Sequence, residues 1–376
     1  MTITLSIPES LKPEDGRFGS GPSKIRPEQI AALDAGATTL LGTSHRQAPV
    51  KQLVASIREG LREFFHLPEG YEVALGNGGA SAFWEIACAS LITRRAAFGT
   101  YGSFSAKFAA SAANAPFLED PVLFPGEPGT YRLPELTEGV DTYCWAHNET
   151  STGVAAPIRR VAGSREAGAL TVIDGTSAAG ALPVDISQTD VYYFSPQKAF
   201  GADGGLWVAI LSPEAIDRAA GAHLEGAHRW VPPFLSLTTA LNNSRKDQTL
   251  NTPAVATLIM MENQIRWLNN NGGLAWATTR CAKSASILYS WAERSEYAAP
   301  FVVDADARSN AVVTIDLDER VQASQVLSIL RENGIVDAAG YRKLGRNQLR
   351  VGVFPSVEPA DVMAFTKCVD YVVEHL

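Results

Sequence analysis

One lysine lies where an apolar, aromatic segment meets a glycine-rich turn, in the stretch YYFSPQKAFGADGGLW (residues 192–207). Lys198 follows the apolar run directly, and this is a poor position for a fully solvated lysine. A lysine in a partly desolvated pocket loses its proton more easily and can attack a carbonyl carbon to form a Schiff base. Taken alone, a lysine such as Lys198 is more often an ordinary surface or ion-paired residue, so its role depends on its neighbours.

The turn GNGGAS (residues 76–81) joins a predicted strand to a predicted helix. Its glycines let the backbone approach a ligand closely, and the amides of Ala80 and Ser81 would lie at a helix N-terminus, which favours an anion such as phosphate. The turn matches neither the dinucleotide motif GxGxxG nor a Walker A loop. A plain strand-to-helix turn would explain it as well as an anion site does.

A carboxylate ends another apolar segment, ALTVID, whose last residue is Asp174. A carboxylate at the end of a buried strand is costly unless it has a partner. Asp174 is therefore either a helix cap or turn aspartate, or the partner of a cation.

Apolar segments alternate with helical patterns through residues 70–275. Strands are predicted at residues 71–77, 141–148, 169–174, 190–196 and 205–212, and a helix at residues 81–92. Strands separated by helices require crossover connections, which favour a mostly parallel sheet covered by helices. Ligands of such sheets bind at the carboxyl ends of the strands, so the glycine turn, Asp174 and Lys198 are expected to share one crevice.

The C-terminal part has a different pattern, with strands predicted at 311–318 and 347–355 and helices at 321–334 and 358–376. The last helix carries Val362, Phe365, Val369 and Val372 on one stripe. We therefore predict an α/β fold with a large domain at residues 16–275 and a smaller α+β domain at residues 276–376. The N-terminal residues 1–15 are expected to pack with the smaller domain.

The glycine turn, the aspartate and the lysine together match the needs of pyridoxal phosphate. The turn would hold its phosphate, Asp174 would keep its pyridine nitrogen protonated, and Lys198 would bind its aldehyde and later move protons. Phe104, in TYGSFSAKF, is a candidate to stack on the ring, although a core phenylalanine would look the same.

Composition limits the class of protein. The chain has 376 residues, of which 46% are hydrophobic, and a net charge of -8, so bulk charge favours neither nucleic acid nor an anionic membrane as a partner. The four cysteines form no CxxC pair, and no metal site or disulfide framework is predicted. Neither a secretory signal nor a membrane span is visible, so a cytoplasmic enzyme is expected.

Six segments occur in an order that resembles the phosphoserine aminotransferases, class V enzymes of the fold-type I pyridoxal-phosphate group, and their actinobacterial members in particular. They are FGSGPSKIRPEQI, GTSHRQAPV, GNGGASAFWE, AHNETSTGV, SPQKAFGADGGLW and NTPAVATL. The resemblance extends from about Gly16 to the C-terminus.

The resemblance implies a set of cofactor-binding residues in a homodimer with shared active sites. Lys198 would form the Schiff base, Asp174 would pair with the ring nitrogen, and Thr150 would bond the phenolic oxygen. Ala80, Ser81 and Gln197 would hold the phosphate, which Asn251 and Thr252 would reach from the other subunit. Without the resemblance, Thr150 is also consistent with a turn and Thr252 with a helix N-cap before Pro253.

The resemblance also implies substrate-binding residues for anionic groups, which guanidinium groups suit. Arg350 would bind the α-carboxylate, and His45 and Arg46 would bind the distal anion. Arg342 would add a further positive charge. The alternative for Arg342 and Arg346 is an exposed basic turn without a binding role. Two positions depart from many family members, which have tryptophan in place of Phe104 and histidine in place of Tyr341.

The implied reaction transfers the amino group of L-glutamate to 3-phosphohydroxypyruvate, which gives O-phospho-L-serine and 2-oxoglutarate in serine biosynthesis. Some family members also aminate an intermediate of vitamin B6 synthesis. Three alternatives remain: another class V enzyme, such as an alanine–glyoxylate type aminotransferase or a cysteine desulfurase; a non-catalytic regulator on the same fold; and a nucleotide-binding doubly wound protein.

Overall fold

The coordinates are a computed structural model that describes residues 5–221 and 229–376. Within these ranges the strands are β1 (Glu72–Asn77), β2 (Ala96–Thr100), β3 (Val122–Pro125), β4 (Thr142–Ala146), β5 (Asn148–Glu149), β6 (Val154–Ala155), β7 (Leu170–Asp174), β8 (Val191–Phe194), β9 (Leu206–Leu211), β10 (Ala298–Pro300), β11 (Val312–Leu317) and β12 (Gln348–Gly352). The helices are α1 (Pro27–Gly36), α2 (Ala48–Phe64), α3 (Gly79–Ser90), α4 (Ser103–Asn114), α5 (Pro213–Gly221), α6 (Leu237–Ser244), α7 (Val255–Asn270), α8 (Gly273–Arg294), α9 (Ala323–Glu332) and α10 (Pro359–Glu374).

The large sheet has seven strands in the order β1-β9-β8-β7-β4-β2-β3. Strand β9 is antiparallel to both its neighbours, and the other pairings are parallel. Both faces are covered: Tyr192 and Phe194 of β8 belong to one hydrophobic core, while Val191 and Tyr193 belong to another. Burial on both faces explains why the strands are continuous apolar runs, and the predicted mostly parallel sheet is confirmed.

The C-terminal part has an antiparallel sheet, β10-β11-β12, with its own hydrophobic core against α9 and α10. The predicted stripe of α10 lies entirely in this core, namely Val362, Phe365, Val369 and Val372. Ile7 belongs to the same core, and the side chain of Asn333 bonds the backbone of both Leu5 and Ile7 at 2.9 Å. Residues 1–4 lie outside the described part of the chain.

Two details differ from the sequence-based expectations. Strands β2 and β3 were not predicted; β3 is a short edge strand that ends in proline. Helix α7 begins at Val255, so Thr252 is not its N-cap. The domain boundary after residue 275 stays a prediction; it lies in the first turn of α8, a helix whose Ala277 belongs to the large core and whose Leu288 belongs to the small one.

The topology brings the carboxyl ends of β1, β7 and β8 to one edge of the large sheet, because these strands run in the same direction. Among the helices of the two described ranges, none is both long enough and apolar enough to cross a membrane.

Candidate active site

A cavity of about 410 Å³ lies at the carboxyl ends of β1, β7 and β8. Its wall is formed by the glycine turn before α3, the end of β7, the turn after β8, and residues from α4 and from the turn after β5. The predicted site residues that line it are Ala80, Ser81, Phe104, Thr150, Asp174, Gln197 and Lys198. The strand-end argument therefore predicted a real convergence of side chains.

The glycine turn ends in a helix N-terminus that no side chain caps. Gly78 and Gly79 have φ angles of 117° and 72°, which residues with a Cβ rarely adopt. The amides of Ala80 and Ser81, in the first turn of α3, are thus available to an anion. The side-chain oxygen of Gln197, on the same cavity wall, is buried and has no hydrogen-bond partner among the described residues.

Asp174 is 7% exposed and accepts two hydrogen bonds. One comes from the backbone amide of Thr176 at 2.8 Å, and the other from the indole nitrogen of Trp84 at 3.4 Å. A carboxylate can accept more than two bonds, so Asp174 can still receive a proton-bearing ring nitrogen. Sequence reasoning missed Trp84, which lines the cavity from α3; its place on the same helix as the glycine turn was an available signal.

Lys198 is 8% exposed, and its ammonium donates a hydrogen bond to the carbonyl oxygen of Ser20 at 2.7 Å. Burial, and secondarily the charge of Arg350, lower the pKa of Lys198 to about 8, while Asp174 and Glu149 act in the opposite direction. A methyl group on Gly21 would overlap the end of the lysine side chain and displace it, and the φ of 138° at this position also favours glycine. The lysine is therefore close to neutral at mildly alkaline pH, as a nucleophile or base must be.

Thr150 belongs to a small hydroxyl and amide network beside the cavity. Its hydroxyl donates to the Ser177 hydroxyl at 2.7 Å, and the side-chain amide of Asn148 donates to the same oxygen at 2.8 Å. The buried hydroxyl of Thr176 has no partner among the described residues. Asn148, Thr176 and Ser177 were not predicted, since turn-forming residues carry no ligand signal of their own.

Arg350 lies at a second cavity, of about 560 Å³, which shares Gly21 and Pro22 with the first. Its guanidinium donates to the carbonyl oxygen of Thr150 at 3.1 Å and lies 5.3 Å from the centre of the Tyr341 ring. Its buried Nε has no partner among the described residues, so it can still bind an anion.

The two arginines of the basic turn differ in their surroundings. Arg342 lines the second cavity, whereas Arg346 is paired with Asp316. Both arginines are exposed, so the surface alternative describes Arg346 and stays open for Arg342.

His45, Arg46, Asn251 and Thr252 do not line either cavity. Three of them form a separate cluster, in which Asn77 bonds the side chain of Asn251 at 2.6 Å and Thr252 lies 3.4 Å from the Nδ1 of His45. Burial, with a smaller contribution from Arg46, lowers the pKa of His45, and its Nε2 has no partner in the described part of the chain.

The family model described as Aminotransferase class-V matches residues 18–344. The phosphoserine aminotransferases of Rhodococcus opacus (strain B4) and Rhodococcus jostii (strain RHA1) are each 56% identical to this chain over 376 residues, which is 100% of both proteins.

Solved structures show the same fold. A phosphoserine aminotransferase from Cytophaga hutchinsonii has a TM-score of 0.84 at 21% identity, over 95% of this chain and 99% of that one. An alanine–glyoxylate aminotransferase from Nostoc sp. has a TM-score of 0.79 at 20% identity, over 98% of this chain and 96% of that one. At these identities the structures support the fold alone and do not separate the two activities.

Proposed function

The chain belongs to the class-V aminotransferase family, and from this premise we propose that it is a phosphoserine aminotransferase that uses pyridoxal 5′-phosphate. It transfers the amino group of L-glutamate to 3-phosphohydroxypyruvate and releases O-phospho-L-serine and 2-oxoglutarate, a step of serine biosynthesis. The observation that carries the proposal is the meeting of Lys198, Asp174 and the uncapped N-terminus of α3 in one cavity. The full-length identity to phosphoserine aminotransferases supports the choice of substrate.

The residues present fit the cofactor. The uncapped helix N-terminus suits a phosphate, to which the side-chain NH2 group of Gln197 on the same cavity wall would donate, and Asp174 retains acceptor capacity for a protonated ring nitrogen. Thr150 can bond a phenolic oxygen, and the volume of about 410 Å³ is in the range of small-molecule sites.

Pyridoxal phosphate, when bound, supplies an electron sink that makes the Cα proton of an amino acid acidic. Lys198 would anchor its aldehyde carbon, and its Nζ would then take up and move the Cα proton, for which a pKa of about 8 is well suited. Asp174 would keep the ring nitrogen protonated, and the Phe104 ring would cover the cofactor and exclude water. These groups sit on strand ends and helix termini, which hold them rigidly.

Substrate binding is assigned to the cationic side chains. Arg350 would bind the α-carboxylate, because its bond to the Thr150 carbonyl holds the guanidinium in the second cavity and its Nε is left free for an anion. Arg342 would contribute to binding the distal carboxylate or phosphate from the second cavity. A single anion site can then serve glutamate and phosphoserine in turn.

The protein would act as a homodimer in which each subunit completes the site of the other. His45 and Arg46 would bind the distal anion, and Asn251 and Thr252 the cofactor phosphate, in the partner's cavity. None of the four lines either cavity of its own chain, which supports this assignment, and Asn251 and Thr252 lie beside the glycine turn through their bonds to Asn77. We further assign the enzyme to the cytoplasm, with a large domain at residues 16–275 and a small domain at 276–376 that includes the N-terminal segment.

The alternatives have less support. A cysteine desulfurase needs a reactive loop cysteine, but Cys88, Cys144, Cys281 and Cys368 are buried, and burial raises the pKa of each thiol. A non-catalytic regulator would not need Lys198 buried with a lowered pKa beside Asp174. An alanine–glyoxylate type enzyme would not need several cations for a distal anion.

Visible absorption of the purified protein, before and after addition of O-phospho-L-serine, tests the proposal. We expect a yellow protein whose band bleaches with phosphoserine and with glutamate, and returns when 3-phosphohydroxypyruvate is added. A yellow protein that responds only to alanine would favour the alanine–glyoxylate alternative. A protein that stays colourless when pyridoxal phosphate is supplied would contradict the proposed function altogether.

A further inference from the structure

Glu149 is a fully buried carboxylate beside the cavity that has no part in the chemistry described so far. One of its oxygens accepts hydrogen bonds from the amides of Phe104 at 3.1 Å and Ser105 at 2.9 Å, and from the Ser105 hydroxyl at 2.9 Å. The other accepts from the amide and hydroxyl of Ser151 at 3.2 and 2.6 Å. A charge is expensive to bury, and this degree of satisfaction is what makes the burial tolerable.

The carboxylate takes the place of a local cap for α4. The residue before this helix is Gly102, which has no side chain to cap it, and a methyl group there would overlap Glu149. A negative charge at a helix N-terminus also interacts favourably with the helix dipole. The first turn of α4, which carries Phe104, is therefore held by a residue 45 positions further along the chain.

The turn that carries Glu149 also connects three other parts of the site. The hydroxyl of the next residue, Thr150, bonds Ser177, which lies three residues after Asp174. The carbonyl oxygen of Thr150 accepts the hydrogen bond from Arg350. The charge of Glu149 also raises the pKa of Lys198 against the larger effect of burial. Glu149 thus influences the ring-covering phenylalanine by contact and the lysine by charge.

We propose that Glu149 is a positioning residue for transamination, which acts on Phe104 through the first turn of α4 and on Lys198 through its charge, without touching substrate. This rests on the proposed function, because both targets are defined by the cofactor. Glutamine at this position keeps the shape and one acceptor oxygen but places an amide donor against donors. Aspartate keeps the charge but is shorter by one methylene.

The test compares Glu149→Gln with Glu85→Gln, a matched control on α3. The Glu85 carboxylate also bonds α4, through the hydroxyl of Ser111 at 2.8 Å, but it is exposed and does not line the cavity. Circular dichroism establishes folding, and titration of the apoenzyme with pyridoxal phosphate gives the dissociation constant. We expect binding weakened by about tenfold or more in Glu149→Gln, since bonds to charged groups are strong ones, and unchanged binding in Glu85→Gln.

A second readout is the pH midpoint for the reaction of apoenzyme with pyridoxal phosphate, which reports the lysine. Loss of a neighbouring negative charge destabilises the ammonium, so the midpoint should fall in Glu149→Gln. A folded variant with unchanged dissociation constant and unchanged midpoint would overturn the proposal. If Glu149→Gln does not fold, a double-mutant cycle replaces it, in which cofactor affinity is measured for Glu149→Asp, Phe104→Ala and the double variant. Non-additive losses of affinity support the action through Phe104, and additive losses contradict it.

Failure of the proposed function looks different. In that case the wild-type protein itself would not bind pyridoxal phosphate or would not transaminate phosphoserine. Wild-type activity combined with an indifferent Glu149→Gln variant would remove only the role of Glu149.

Discussion

The ammonium of Lys198 lies 2.7 Å from the carbonyl oxygen of Ser20, a residue 178 positions earlier in the chain. The segment around Ser20 is fixed by the C-terminal core, since Phe18 packs on Phe365 with ring centres 4.8 Å apart. The amide of Gly352 also donates to the Phe18 carbonyl at 2.8 Å. The lysine of the large sheet is thus covered by a segment that the smaller core holds in place.

Replacement of Lys198 by alanine should nearly abolish turnover, because it removes both the cofactor anchor and the group that moves the Cα proton. General acid–base catalysis alone contributes about 10²–10⁴-fold, so a loss of at least this size is expected in steady-state kcat. Lys246→Ala, at an exposed position, is the control. Substantial steady-state turnover by the Lys198→Ala variant would refute the assignment of the lysine.

Reaction of the apoenzyme with pyridoxal phosphate should accelerate as the pH rises through about 8, because the amine and not the ammonium attacks the aldehyde. Arg350→Gln removes a positive charge that lowers the pKa of Lys198, so the ammonium gains stability and the midpoint should move to higher pH. Stopped-flow rates recorded over a range of pH give this midpoint. Arg346→Gln, whose wild-type side chain is paired with Asp316, should leave the midpoint unchanged.

Gly21→Ala should slow that same reaction, because the added methyl group overlaps the side chain of Lys198. Gly42→Ala is the control that separates this overlap from backbone strain. Gly42 also has a positive φ, of 74°, but a methyl group there would have no atom of the described chain within 4 Å. Both variants should lose up to about 1–2 kcal/mol of unfolding free energy from the strained backbone. Equal reaction rates in the two variants would show that the overlap has no consequence for the lysine.

Tyr341 should hold Arg350 in position through the face of its ring. Cation–π contacts are worth about 0.5–2 kcal/mol, so Tyr341→Leu should raise KM for glutamate and phosphoserine by roughly twofold to thirtyfold, with a smaller change in kcat. Tyr341→Phe keeps the ring and should stay close to wild type in both constants. If phenylalanine proves as damaging as leucine, the hydroxyl and not the ring is the important group.

Complementation between subunits should locate Arg46. Arg46→Ala alone is expected to raise KM for both substrates, because glutamate and phosphoserine share the distal-anion site. If Arg46 serves the partner, mixed dimers of Arg46→Ala and Lys198→Ala chains contain one intact site. Refolded equimolar mixtures should then recover roughly a quarter of wild-type activity, since half the dimers are mixed and each has one of two sites. No recovery above that of Arg46→Ala alone would assign Arg46 to its own cavity.

The sequence alone determined which side chains end the parallel strands. Asp174, Lys198 and the turn at Ala80 each follow an apolar run, and the physics of a crossover-connected sheet brings such ends to one edge. Because both faces of the sheet are buried, these strands are continuously apolar, and this makes them recognisable in the sequence. Strand β3 was missed for the opposite reason, because it is a short edge strand with Leu123 exposed and proline at its end.

Tertiary structure decided what surrounds those side chains. Trp84 meets Asp174 across 90 residues, Ser20 meets Lys198 across 178, and Glu149 caps a helix that begins 46 residues earlier. None of these contacts follows from local periodicity, because a hydrogen bond between distant segments depends on how whole elements pack. Charge state depends on the same packing: the pKa of Lys198 results from burial and from Arg350, which belongs to the C-terminal sheet and approaches the lysine only in the folded chain.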